Sequence, residues 1–156
     1  MIKAKLPVLL FSVCLLLCCV VAVDAQTKRR RTPRASPTAK ATAAAIITPS
    51  GLTYLITKKG MGRQPKKGET VVVQYTGMLT DGVKFDSSRD NGEAFQFTLG
   101  IGQVIKGWDE GFSNLKVGDQ AILVIPPSLA YGSRGAGGVI PPDATLIFVV
   151  ELVDVK

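Results

Sequence analysis

Residues 104–121 read VIKGWDEGFSNLKVGDQA. Trp108, Phe112 and Leu115 recur at i, i+4 and i+7, the spacing that puts side chains on one face of a helix. Asp109 and Glu110 fall in its early turns, where carboxylates favour the helix dipole, and Gly118 stops the pattern. The spacing predicts one short helix, from about Ile105 to Leu115, with an apolar stripe that must cover something. On both sides the chain has a different texture, with short β-prone runs punctuated by Gly and Pro. C-terminal to the helix, Gln120–Ile125 reads as a strand ended by Pro126-Pro127. Residues 128–142 form a Gly-rich loop. Thr145–Val155 is a last strand, nearly all apolar, which suits a central position.

Before the helix, Leu52–Thr57 reads as a first strand and Gly60–Gly68 as a loop. Thr70–Thr76 (TVVVQYT) is rich in branched and aromatic residues and reads as another strand. Thr80-Asp81-Gly82 is a turn signal. Lys84–Asp86 is a short strand, and Ser87–Glu93 a bulge or loop. In Ala94–Leu99, Phe95, Phe97 and Leu99 alternate with Gln96 and Thr98, the mark of a half-buried strand. Leaving aside the three-residue Lys84–Asp86, that makes about five strands and one helix. The Trp108 face of that helix is the obvious cover for the apolar face of the sheet.

The first 48 residues differ in kind. Residues 6–23 carry no charge, Lys3 and Lys5 precede them, and Val23 and Ala25 end the run with small side chains. This order describes a signal peptide over residues 1–25, cut before Gln26. An uncleaved anchor is the alternative, because about 18 apolar residues just span a bilayer. Lys28–Arg31 follow closely and oppose easy export. Attachment of lipid at a cysteine fits poorly, since Leu16-Leu17 and Ser12-Val13 precede Cys18 and Cys14. Residues 26–48 read as a basic linker. Pro, Ser, Thr, Ala and cations without apolar periodicity cannot bury enough surface to offset the entropy of ordering.

Charge divides along the same line. Residues 46–156 hold eleven basic and eleven acidic residues, whereas residues 26–45 hold six basic and no acidic ones. The formal +7 therefore belongs to the N-terminal part, and the folded part is neutral. A solvated spacer is the plain reading of the linker. Weak contact with an anionic surface is the sharper one. No aromatic residue is interleaved for base stacking, and no nucleic-acid partner is expected.

Chemistry is narrowed by what the chain lacks. It has no histidine, and Cys14, Cys18 and Cys19 all lie in the leader. His-based triads and Cys/His zinc sites are excluded, and neither a metal nor a cofactor is expected. The glycines of Tyr131–Gly138 lack the Lys-Ser/Thr of a phosphate loop and do not open a helix after a strand. No glycosidase-like pair of carboxylates stands out. Asp86, before Ser87-Ser88, has a local role available to it in an Asx turn. The aromatics Tyr75, Phe85, Phe95, Phe97, Trp108, Tyr131 and Phe148 belong to neighbouring elements. They form a core, a cleft with a few polar groups, or both.

Three long stretches, VVVQYTGMLTDGVKFDSSRD (71–90), VIKGWDEGFSNLKVGDQA (104–121) and YGSRG…GVIPPDATLIFVVELV (131–153), resemble the FKBP-type peptidyl-prolyl cis-trans isomerases. The resemblance runs from about Gly51 to the C-terminus. It implies an α+β domain over residues 49–156, an antiparallel sheet of about five strands wrapped around one short helix as a half-barrel. It implies Trp108 as the floor of a pocket beneath the proline ring. Tyr75, Phe85, Phe95, Val104, Ile105, Val139, Ile140 and Phe148 would be its walls. The Ile105 N–H and the Tyr131 hydroxyl would bind substrate carbonyls, with Asp86 near Tyr75.

The resemblance further implies proline-containing polypeptides as substrates, affinity for tacrolimus or rapamycin, and catalysis of X-Pro rotation in exported proteins. A non-catalytic proline-binding or chaperone module is the alternative. A monomer is expected, without the long N-terminal helical domain through which some relatives dimerise. Two departures from the family bear on substrate preference. Asn91 stands where many relatives have an arginine able to pair with the aspartate, and Ala136 and Gly137 stand where relatives often carry bulkier residues.

Overall fold

The computed structural model describes residues 44–156. The expected signal peptide, and the linker from residue 26 to residue 43, lie outside the described residues. The elements are β1 (Ile46–Ile47), β2 (Thr53–Lys58), β3 (Thr70–Leu79), β4 (Lys84–Ser87), β5 (Phe95–Thr98), α1 (Lys106–Ser113), β6 (Gln120–Ile125) and β7 (Leu146–Val155). All pairings are antiparallel, in the order β1-β2-β6-β7-β3-β4, with β5 also on β3. Seven strands occupy six positions, because β5 pairs with Thr70–Val73 and β4 with Thr76–Met78 along the same edge of β3.

The expected class is borne out, with two differences in count and boundary. Ile46 and Ile47, assigned above to the linker, pair with Tyr54 and Thr53. Thr48 N–H donates to Leu52 O (2.9 Å), Gly51 N–H donates to Thr48 O (3.0 Å), and Gly51 takes φ 93°. Two branched residues and a Pro-Ser-Gly turn suffice for an edge strand. That signal is too short to stand out from a linker composition. In the same region, Ser50 Oγ donates to both oxygens of Glu110 on α1 (2.8 and 2.7 Å).

Strand β7 is central, with β6 on one side and β3 on the other. Leu146, Phe148, Val150 and Leu152 point into the core, while Val149 and Val153 on the other face are exposed. One face of the sheet is covered by α1, whose Trp108 and Phe112 join Leu115, Val71, Val73, Phe97, Leu123 and Ile125 in one apolar cluster. Burying a side chain such as Phe112 or Leu115 stabilises the fold by roughly 2 kcal/mol.

Two helical glycines set how close α1 lies to the sheet. A Cβ on Gly107 would sit 2.4 Å from Ile125 Cγ2, and one on Gly111 would sit 2.9 Å from Leu123 Cδ1. Each glycine costs about 1 kcal/mol of helix propensity relative to alanine. The close packing they permit offsets that, which is how an eight-residue helix persists. The helix is shorter than the sequence spacing implied. Asn114 caps it, and Leu115 continues the apolar face from the turn beyond, its N–H donating to Phe112 O (3.2 Å).

Candidate active site

Above the first turn of α1 is a cavity of about 280 Å³ lined by Tyr75, Phe85, Asp86, Phe95, Gln103, Val104, Ile105, Trp108, Tyr131 and Phe148. Nine of these ten were singled out above, and the structure brings them together from β3, β4, β5, β7, α1, the loop before α1 and the loop after β6. Trp108 is only 5% exposed, yet it lines the cavity. It is wedged among the rings of Tyr75 (centroids 4.9 Å apart), Phe148 (5.2 Å), Phe112 (5.4 Å), Phe97 (5.6 Å) and Phe95 (5.9 Å). Four of the five approach edge-on. This geometry suits the ring quadrupoles and fixes the indole in one orientation. Among the described residues its Nε1–H has no hydrogen-bond acceptor.

Phe85 and Phe148 meet edge-to-face, 5.6 Å apart at an interplanar angle of 88°. Gly77 makes this possible. It pairs with Asp86 across one edge of β3 and with Phe148 across the other. A Cβ there would lie 2.6 Å from Phe85 Cζ and 2.7 Å from Phe148 Cε1. Nothing in the sequence pattern marks this glycine.

On the polar side, the Tyr75 hydroxyl donates to Asp86 Oδ2 (2.5 Å). Burial, and then the hydrogen bond to Asp86, push the Tyr75 phenol above its ordinary range. It stays protonated at neutral pH and acts as a donor. Asp86 is free for this because its neighbours satisfy the bend. Ser88 Oγ accepts from Tyr75 N–H (2.9 Å), Ser87 Oγ donates to Tyr75 O (2.9 Å), and Ser88 Oγ donates to Gln74 Oε1 (2.5 Å). Ser87 and Ser88 are buried. The local-turn role weighed for Asp86 therefore falls to the two serines, while the aspartate faces the cavity.

The loop before α1 is held from within the helix. Asp109 Oδ1 accepts from Gly100 N–H (2.8 Å) and Oδ2 from Gly102 N–H (3.0 Å), tying down a turn in which both glycines have φ 76°. Asp109 thus has a role besides its effect on the dipole. Gln103, missed in the sequence, lines the cavity and accepts from Thr98 N–H through Oε1 (2.8 Å). Ile105 is the N-cap residue. Its carbonyl accepts from Trp108 and Asp109, and among the described residues its own N–H has no acceptor. It is an unused donor at the cavity wall.

Tyr131 also lines the cavity and is 42% exposed. Val139 and Ile140, expected as walls, are not among the lining residues. Ala136 and Ile140 form a two-way backbone bridge (3.0 and 2.9 Å), and Ile140 joins the core while Val139 stays exposed. Gly135, at φ 62°, enforces this course, since a Cβ there would meet Ile140 O at 2.3 Å.

Comparison with known proteins agrees with this architecture. A family model described as FKBP-type peptidyl-prolyl cis-trans isomerase matches residues 61–153. FK506-binding protein 1 of Dictyostelium discoideum is 55% identical over 106 residues, 68% of this chain and 99% of that protein. Peptidyl-prolyl cis-trans isomerase Fkbp12 of Drosophila melanogaster is 59% identical over 92 residues, 59% of this chain and 85% of that one. Among solved structures, AtFKBP13 superposes with a TM-score of 0.70 at 37% identity, covering 72% of this chain and 99% of its own. FkpA from Escherichia coli superposes at 0.67 with 47% identity, over 72% of this chain but only 51% of its own length. The chain belongs to the FKBP family and is a peptidyl-prolyl cis-trans isomerase.

Proposed function

We propose that the ten-residue cavity is the catalytic site, with Trp108 beneath the proline ring and Tyr75, Phe85, Phe95, Val104 and Phe148 around it. Rotation about an X-Pro bond breaks amide resonance against a barrier of about 18–20 kcal/mol. The twisted amide has lost charge separation and is less polar than the planar one. An apolar wall therefore favours it over the ground state, which is differential binding. The Ile105 N–H and the Tyr131 hydroxyl hold substrate carbonyls and keep the peptide turned. Tyr75, kept protonated, and Asp86 fix the polar edge. No covalent step is involved.

The single observation that carries this reading is an open hollow directly over an indole locked by five rings. Protease-coupled isomerisation of a Phe-Pro peptide tests it. Trp108→Ala and Phe85→Ala are expected to lose activity, and Asp86→Ala to lose less. Wild-type rates in all three folded variants would overturn the assignment.

Relatives named FK506-binding proteins support tacrolimus and rapamycin as ligands of the same cavity. The uncharged run at residues 6–23, followed by Ala25, supports delivery outside the cytoplasm, where the enzyme assists folding of exported proteins. A native mass beginning at Gln26 would support cleavage, and a mass retaining Met1 would contradict it. The domain acts as a monomer, and the cations of residues 26–45 give weak contact with anionic surfaces.

A further inference from the structure

We propose that this enzyme favours prolyl segments carrying a lysine or arginine within a residue or two of the proline, and that Asp86 is the residue that reads the cation. The proposal rests on the cavity being the catalytic site. Asp86 supplies the only carboxylate among the cavity's lining residues, and no lysine or arginine lines it. The hydrogen-bond partner of Asp86 is the neutral Tyr75 hydroxyl, so its charge has no counterion in the wall.

Both bases on the surrounding segment are engaged elsewhere. Lys84 Nζ pairs with Asp90 (2.6 Å), and Arg89 pairs with Glu151 of β7 (3.1 Å). Residues 81–93 hold four acids (Asp81, Asp86, Asp90, Glu93) against those two bases, a net of −2, so the segment that carries Asp86 is acidic within a domain that is neutral overall.

The position of Asp86 suits reading a neighbour of the proline. Tyr75 links floor and carboxylate, with its ring 4.9 Å from the indole and its hydroxyl on Asp86. With a proline over Trp108, the carboxylate lies about one phenol length from the ring, within the span of a flexible basic side chain. Asp86 is exposed and Tyr75 occupies one of its oxygens, leaving the other open to a cation. An ion pair at such a rim is modest, about a two- to fivefold preference. It is screened by salt.

The test uses the full chain and neutral-capped Ala-X-Pro-Phe anilides with X lysine, norleucine or glutamate, together with a second set placing the same residues after the proline. The readout is kcat/KM relative to norleucine, in dilute buffer and in about 0.5 M salt, where the Debye length is below ~8 Å. The expected order in at least one set is lysine, norleucine, glutamate. The spread should collapse in high salt and in Asp86→Asn, whatever the variant does to the norleucine rate. Equal rates for lysine and norleucine in both sets overturn the proposal while leaving the isomerase site intact. A lysine preference that survives either high salt or Asp86→Asn also overturns it. If no peptide in either set is accelerated, the site assignment itself fails. The salt arm on the wild type decides the matter even if Asp86→Asn does not fold.

Discussion

Replacing Gly77 by alanine adds one methyl group at the place where the two walls of the cavity meet. Its Cβ would stand 2.6 Å from Phe85 Cζ and 2.7 Å from Phe148 Cε1. Ordinary carbon contacts are about 3.5–4.0 Å, so one or both rings must retreat by about 1 Å. The backbone at Gly77 does not take a positive φ, so the penalty is steric overpacking with no backbone strain. Overpacking of this kind costs typically about 1–3 kcal/mol. In a domain of roughly 100 residues that lowers Tm by roughly 5–20 °C.

The activity loss should exceed what stability alone explains. Both rings line the cavity, and a misplacement of about 1 Å can cost about 100-fold in rate. Protease-coupled kinetics measured well below the lowered Tm separate the two effects. Adding Phe85→Leu to Gly77→Ala removes one of the two colliding ring edges. The double variant is expected to regain part of the lost stability, a positive coupling that a double-mutant cycle measures. Wild-type stability and wild-type kcat/KM in Gly77→Ala would refute the two-ring wall.

Other expectations follow from single contacts. Asp109→Ala frees the Gly100 and Gly102 N–H groups, loosens the loop that presents Val104 and Ile105, and should raise KM more than it lowers kcat; Asp109→Asn, which keeps one acceptor, should recover part of the effect. Ser88→Ala leaves the Tyr75 N–H without its acceptor and should cost about 1–3 kcal/mol in chemical denaturation. Tyr75 has its phenol pKa raised by burial and by Asp86, so it favours the protonated native state. Its contribution is fully present below the unfolded value of 10.0 and is lost as pH rises beyond it. Wild-type stability should therefore fall more steeply above pH 10 than that of Tyr75→Phe, and parallel alkaline denaturation curves would contradict this.

Elements with a strong periodic signal were legible before any coordinates. Trp108, Phe112 and Leu115 announced the covering helix, and Phe95/Phe97/Leu99 announced β5 with its turn. Gln120–Ile125 matched β6 at both ends. The aromatic floor and walls were legible because their residue types are costly to place without a purpose, and their assembly into one cavity came from the family resemblance. Gln103 and Gly77 were not legible. A glutamine gains its role from a loop held by Asp109, and a glycine from two rings that approach it only across neighbouring strands. Val139 and Ile140 fall outside the cavity's lining because the course of this loop is set by backbone closure within the loop itself. Here that is the Ala136–Ile140 bridge and the left-handed turn at Gly135, neither of which leaves a periodic trace. Residues 46–47 show the converse, since a tertiary edge recruited a pair that local composition assigned to a tether.

The most direct test is equilibrium exchange NMR on a Phe-Pro peptide, with catalytic amounts of the full chain and no protease present. Cross-peaks between the cis and trans forms should grow in proportion to enzyme and vanish when tacrolimus fills the cavity, with Phe85→Ala sharply weaker. Exchange that stays at the uncatalysed pace of tens of seconds, while the peptide still shows bound-state shifts at the Trp108 floor, would mean a hollow that holds prolines without helping them turn.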